Sequence, residues 1–335
     1  MRMIIEEIKK LIRSHLDAIP EGSVPLICII GPTAVGKTAL SIGLAQAFNA
    51  EIISADSRQV YKGMDIGTDK ITPEEMDGVP HHMLDQVEPD EAFSVFDFKR
   101  IADELIPQIY ERGHIPFIVG GTMLYTDAVV NNFDFDGVKP NEELRTELQK
   151  FLDENGKEAL HKRLEELDTE VAKKIHANNT HYVMRAIEKM MNSNDKQNGL
   201  ANEKTQGSKS CTSTSQKYER SNNYHILKIG LMRPREEIYE RINSRVEKQL
   251  EDGKLEAEAK HFIDKYGKDE RSITGLGYRQ FVEYLNGEHT LDDVKIRLQK
   301  ETRNFAKRQI GWWKKDDSIH WFDVSRNPLI NNINS

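Results

Sequence analysis

The chain has 335 residues, 38% of them apolar, enough for one large domain with an insertion or for two domains. Its 47 Lys and Arg against 55 Asp and Glu give a formal net charge of −8. That balance weighs against a nucleic-acid partner unless the cations are gathered locally, because phosphate backbones are held by positive charge.

Residues 1–19 set Glu6, Glu7, Lys9, Lys10 and Arg13 among apolar residues at helical spacing. This predicts an amphipathic helix and not a signal peptide, whose apolar segment is uncharged. No apolar run approaches the ~18 residues of a membrane span, so a cytoplasmic location is expected. Residues 26–30 form a short β-leaning run that ends in glycine, and a helical pattern follows over 37–48. A second strand is predicted at 51–55, a helix at 98–112 and a third strand at 115–119, again ending in glycines. Strands alternating with helices predict βαβ units and a parallel sheet.

From 141 to about 191 the texture is helix after helix, at 142–154, 157–167, 169–176 and 182–191. Residues 192–223 are rich in Asn, Ser, Lys, Gln and Thr with almost nothing to bury, which predicts a flexible polar loop. Strand texture returns at 225–231. A long helix at 236–252 carries Arg241 and Arg245, a final helix runs over 291–314, and a last strand is predicted at 320–324. The expected fold class is α/β, a P-loop-type core with a parallel sheet flanked by helices plus an all-helical insertion. The expected division is 1–131 for the first part of the core, 132–223 for the insertion and 224–335 for the rest.

The segment Gly31-Pro32-Thr33-Ala34-Val35-Gly36-Lys37-Thr38 fits G-x-x-x-x-G-K-[ST], and it follows a predicted strand and opens a predicted helix. Its glycines let backbone N–H groups converge on phosphate oxygens, and the helix N-terminus adds its dipole. Lys37 is a point charge for the same oxygens, and the Thr38 hydroxyl suits Mg²⁺. The motif reads phosphate, not specifically ATP. A nucleotide enzyme or small-molecule kinase is its default reading, and the lack of N-K-x-D weighs against a GTPase.

Residues 297–315 gather Arg297, Lys300, Arg303, Lys307, Arg308, Lys314 and Lys315 against Glu301 alone, a local charge of +6 interrupted by Trp312 and Trp313. Cations interleaved with aromatics suit an RNA partner, although each tryptophan is equally placed to be core. The two cysteines, Cys28 and Cys211, form no C-x-x-C pair, which argues against a cysteine zinc site and a disulfide framework. His81, His82 and Asp85 match no common zinc spacing and are expected to be structural.

Further motifs are Asp56-Ser57-Arg58-Gln59-Val60-Tyr61-Lys62-Gly63-Met64-Asp65-Ile66-Gly67-Thr68, Pro80-His81-His82-Met83-Leu84-Asp85, Val119-Gly120-Gly121-Thr122-Met123-Leu124-Tyr125, Gly277-Tyr278-Arg279-Gln280 and Lys307-Arg308-Gln309-Ile310-Gly311-Trp312-Trp313. With the P-loop, over roughly residues 26–323, they resemble the tRNA dimethylallyltransferases. The absence of a C-terminal cysteine pair makes the resemblance bacterial in type. The polar tract at 192–223 is longer than the family pattern leads one to expect.

The resemblance implies transfer of a dimethylallyl group from dimethylallyl diphosphate to the N6 amine of adenosine 37 of tRNA, with Mg²⁺. It implies that Gly31 to Thr38 and Arg245 hold the donor diphosphate, with Thr38 on the metal. Asp56, Thr38 and Arg245 would be catalytic. Asp56, at the end of a strand beside the P-loop, would be the general base for a poor amine nucleophile; a Mg²⁺-shell aspartate is the competing reading. Arg241, one turn earlier, competes with Arg245 for the diphosphate. The tRNA contacts expected are Asp56, Ser57, Arg58, Gln59, Thr122, Arg145, His181, Tyr182, Val183, Met184, Arg185, Gly277, Tyr278 and Arg279, reading the anticodon stem-loop, to which the basic patch by itself adds Lys307 and Arg308. Nothing demands more than a monomer. The rivals are an adenylate isopentenyltransferase acting on free AMP, ADP or ATP, a P-loop kinase for a small molecule, and a non-enzymatic RNA-binding module.

Overall fold

The computed structural model describes residues 2–133, 135, 141–201 and 223–325. The chain divides into two compact units, one of Met1–Phe133 with Arg220–Ser335 and one of Asp134–Glu219. In chain order the first unit begins with α1 (Arg2–Asp17), β1 (Val24–Ile30), α2 (Lys37–Phe48), β2 (Ala50–Ala55), α3 (Pro73–Met76), β3 (His81–His82), α4 (Val95–Glu111), β4 (Ile115–Gly120) and α5 (Met123–Val130). The second unit holds α6 (Glu142–Leu167), α7 (Thr169–Ala172) and α8 (Thr180–Ala201). The first unit resumes with β5 (Tyr224–Met232), α9 (Arg235–Glu251), α10 (Lys254–Tyr266), α11 (Phe281–Leu285), α12 (Leu291–Trp313) and β6 (Ile319–Asp323).

The six strands form one sheet in the order β3-β2-β4-β1-β5-β6, every pairing parallel. Successive strand side chains point to opposite faces. Leu26, Cys28 and Ile30 of β1 therefore pack with Phe98, Ala102 and Ile106 of α4. Ile27 and Ile29 pack on the other face with Ile8 and Ile12 of α1 and Leu44 of α2. Covering both faces is what a parallel sheet needs, and it explains why β1 reads as a continuous apolar run. Each fully buried isoleucine contributes about 1.5–3 kcal/mol over an exposed one. Helix starts are fixed locally: Ser94 and Asp97 make a capping box on α4, and Thr290 and Asp293 make one on α12.

In the second unit the break expected between 154 and 157 is a kink at Gly156, whose φ of 82° is left-handed. Leu144, Leu148, Leu160, Leu164, Val183 and Ile187 form its core. The flexible loop expected over 192–223 needs correction at its start, because α8 runs on to Ala201; residues 202–222 lie outside the described residues. Five short or weakly periodic elements, α3, β3, α5, α10 and α11, were not expected from the sequence.

Candidate active site

The candidate phosphate site lies at the carboxyl edge of the sheet, where β1, β2 and β4 deliver the P-loop, Asp56 and the loop at Gly121, as open parallel sheets do. A cavity of about 930 Å³ is lined by Lys37, Thr38, Asp56, Arg241, Arg245 and Gln309, among others. Gly36 caps α2 with a φ of 108°, a conformation that glycine adopts without cost. Val35 is fully buried in the core, so it offers a ligand only its backbone.

The Lys37 ammonium donates to the carbonyls of Gly31 at 2.9 Å and Pro32 at 3.0 Å. Desolvation in the cleft pulls it down from the usual 10.5 to about 8; the Asp56 charge works against that fall and Arg245 adds to it. The segment 233–245 braces the loop with arginines. Arg233 Nε donates to the Val35 carbonyl at 2.8 Å, and Arg241 Nε donates to the Ala34 carbonyl at 2.6 Å. Arg245 Nη1 donates to Thr33 Oγ1 at 3.3 Å and pairs with Asp69 at 2.8 Å. The two arginines that competed in the sequence thus do different things: Arg241 props the loop backbone, and Arg245 stands between its hydroxyl and an acid.

Asp56 ends β2, and its Oδ1 accepts the Arg58 amide at 2.9 Å in an Asx turn. Its other oxygen makes no hydrogen bond and no ion pair among the described residues. Thr122 Oγ1 accepts the Ser57 amide at 2.9 Å, tying the β4 loop to the β2 loop. Arg58 Nη1 donates to the Arg271 carbonyl at 2.9 Å, and Gln59 Nε2 donates to the Asp69 carbonyl at 3.1 Å. Gln309 is 1% exposed. It accepts the Thr33 amide and donates to the Gly121 carbonyl, both at 2.8 Å.

Several expected RNA contacts are corrected. Tyr278 is 1% exposed and donates its hydroxyl to Glu258 at 2.7 Å, and Gly277 beside it is buried, so both are packing residues. Val183 is a fully buried core residue of the helical unit, and Met184 packs on that core. Arg279 is engaged by Glu301 at 2.9 Å through Nε. In the helical unit, Arg145 pairs with the buried Glu188 at 3.0 Å, while His181, Tyr182 and Arg185 are exposed. Lys307 and Arg308 are exposed on α12 and make no ion pair among the described residues. The two tryptophans separate: Trp313 is core at 2% exposure, and Trp312 is 40% exposed with its indole N–H on Asp127. His82 binds Glu51 at 2.6 Å, and His81 binds the Val79 carbonyl at 2.8 Å.

Sequence reasoning missed Asp69 and Glu258 and gave Arg233 no role of its own. Gln309 was quoted within a motif without a role. Each acts on residues distant in sequence, and no local pattern marks such partners.

A glycine-rich loop between a parallel strand and a helix, facing a carboxylate and clustered arginines in one cavity, defines a P-loop-type α/β fold with a candidate phosphate site. The family model described as IPP transferase matches residues 59–316, and the chain belongs to that family. A tRNA dimethylallyltransferase of Halalkalibacterium halodurans is 42% identical over 300 residues, covering 90% of this chain and 91% of that protein. One from Macrococcus caseolyticus is 43% identical over 302 residues, covering 90% and 91%. The crystal structure of a full-length tRNA isopentenylpyrophosphate transferase from Bacillus halodurans matches with a TM-score of 0.63 at 41% identity over 89% of each chain. A eukaryotic dimethylallyltransferase acting on tRNA matches with a TM-score of 0.72 at 28% identity, over 91% of this chain and 75% of that one.

Proposed function

We propose that the protein transfers the dimethylallyl group of dimethylallyl diphosphate to the N6 amine of adenosine 37 in tRNA. The observation that carries this reading is one cavity lined both by a phosphate cradle, with Lys37 and Arg245, and by Asp56. In the reaction the N6 lone pair bonds to the allylic carbon, the carbon–oxygen bond breaks and diphosphate leaves with its electron pair. The amine proton passes to Asp56. Lys37, Arg245 and the P-loop amides stabilise the charge that grows on the leaving oxygen. The adenosine must be splayed from the anticodon loop to reach the cavity.

The donor set also fits Mg²⁺. The Thr38 hydroxyl, which lines the cavity beside the phosphate cradle, suits an ion that keeps waters and substrate phosphates as its other ligands. Bound there, Mg²⁺ would neutralise charge on the diphosphate. The exposed cations of α12, Lys307 and Arg308 foremost, supply the positive surface that an RNA of high charge requires despite the net −8 of the chain. We take the enzyme to be a cytoplasmic monomer; the P-loop, Asp56 and Arg245 that the reading needs all belong to one chain. No described helix is long and apolar enough to cross a membrane.

Incubation with labelled dimethylallyl diphosphate and Mg²⁺, plus either unmodified tRNA or AMP, tests the reading. Label should enter the tRNA and not the AMP. Label in AMP alone would make the protein an adenylate isopentenyltransferase, and ATP turnover without prenyl transfer would make it a kinase.

A further inference from the structure

Glu258 of α10 does not line the cavity, yet it takes more hydrogen bonds than any catalytic candidate there. Its carboxylate accepts the amides of Asp65 at 3.1 Å, Ile66 at 2.9 Å and Gly67 at 2.9 Å, and the hydroxyl of Tyr278 at 2.7 Å. Successive amides converging on one anion form a nest, which fixes the backbone that supplies them. The packing leaves no slack. A Cβ on Gly67 would sit 2.6 Å from the Tyr278 ring, and one on Gly277 would sit 2.6 Å from the Gly67 carbonyl oxygen. Gln249 adds a hydrogen bond to the Ile66 carbonyl at 2.6 Å. The sequence motifs at 65–68 and 277–278, which the chemistry itself does not use, are thus two halves of one clamp closed by Glu258.

The far end of the clamped loop is Asp69. It is held at a φ of 53°, and its carbonyl accepts from Gln59 at 3.1 Å. Its carboxylate pairs with Arg245 Nη1 at 2.8 Å, and the same nitrogen reaches Thr33 Oγ1 at 3.3 Å. Nε and Nη2 of Arg245 make no hydrogen bond among the described residues. A guanidinium carries five N–H donors in a rigid fork. Fixing one nitrogen therefore aims the other two.

We propose that Glu258 is a positioning residue for the prenyl donor. By holding loop 65–67 it places Asp69 so that Asp69 grips Arg245 by Nη1 and leaves Nε and Nη2 for the diphosphate. The inference rests on the reading of Arg245 as a donor-binding residue.

Steady-state kinetics of the full chain with dimethylallyl diphosphate, Mg²⁺ and unmodified tRNA test it. Glu258→Gln keeps the shape but turns an amide N–H₂ toward backbone N–H groups. It should raise the KM for the donor about tenfold while the KM for tRNA stays the same, a split that general unfolding does not produce. Asp69→Asn should raise the donor KM by itself, and adding Glu258→Gln to it should then change the donor KM by less than about twofold, since the two act in series. Tyr278→Phe removes only a hydroxyl and should raise the donor KM about threefold, the worth of one hydrogen bond; it serves as the test if Glu258→Gln fails to fold. Unchanged donor KM in the folded variants, an equal rise in the tRNA KM, or full additivity with Asp69→Asn would overturn the proposal. The wild type is the first arm: no prenyl transfer there would remove the functional reading itself, and this inference with it.

Discussion

The side chain of Gln309 accepts the backbone N–H of Thr33 at 2.8 Å, across 276 residues of sequence. The P-loop is therefore shaped partly from α12, whose next residue N-terminal to Gln309, Arg308, is exposed on the basic face. The other end of the same amide group donates to the Gly121 carbonyl, so one side chain joins the loops after β1 and β4.

Gln309→Leu should leave a buried carbonyl and a loop amide without partners, at a cost of about 1–3 kcal/mol for each orphan. A lower melting temperature and a higher donor KM should appear together. A melting curve and donor titration matching wild type would show that the loops hold their form without α12.

Asp56→Asn should lower kcat by about 10²–10⁴-fold, the usual worth of a general base. Affinity for tRNA should stay within a few fold, because proton removal matters in the transition state and little in the ground state. A variant with near-normal kcat in single-turnover assays would remove Asp56 from the role of base.

Donor use should weaken as pH rises through about 8. Desolvation lowers Lys37 to about 8, so the ammonium that a diphosphate needs is present below that value and lost above it. Bound diphosphate favours the charged form, so kcat/KM for the donor, which reports the free enzyme, should fall at lower pH than kcat does. Lys37→Ala should abolish this limb and lower donor kcat/KM below about pH 8, where the wild type carries the charge, and Arg245→Ala should lower it at every pH while keeping the limb. Profiles of kcat/KM for the donor across that value decide the point. A limb that persists in Lys37→Ala belongs to another group.

Much of this was legible in the sequence for a physical reason: strands buried on both faces read as apolar runs, and a P-loop is a local motif whose neighbours confirm it. The kink at Gly156 was legible too, because glycine interrupts a helical pattern at low cost. What stayed hidden is non-local. Nothing near Glu258 in sequence marks it as the acceptor of amides at 65–67, and Tyr278 sits in a motif that reads equally well as a contact or as core. Arg241 and Arg245 share a helix face, and only the fold assigns one to a loop carbonyl and the other to Asp69. β3 is two residues long and α5 is nearly all apolar, so neither offers a period to detect.

The last prediction concerns the basic face of α12. Lys307 and Arg308 are exposed and make no ion pair among the described residues, while Arg303 on the same helix is engaged by Asn243. If the two bind phosphates, each contact releases counterions, and changing both to Ala should flatten the log–log dependence of tRNA binding on salt by about one unit per contact. The KM for tRNA should rise and donor KM should hardly move, since the proposed reading places the diphosphate on the P-loop. The competing account is that their stems only shield α12 from water. Arg308 does lie 5.7 Å from the Phe305 ring, which gives that account a footing. It requires the double variant to melt earlier and to keep the wild-type salt slope. Binding at several salt concentrations, set beside a melting curve, separates the two, and an unchanged slope would move the tRNA surface off this face of α12.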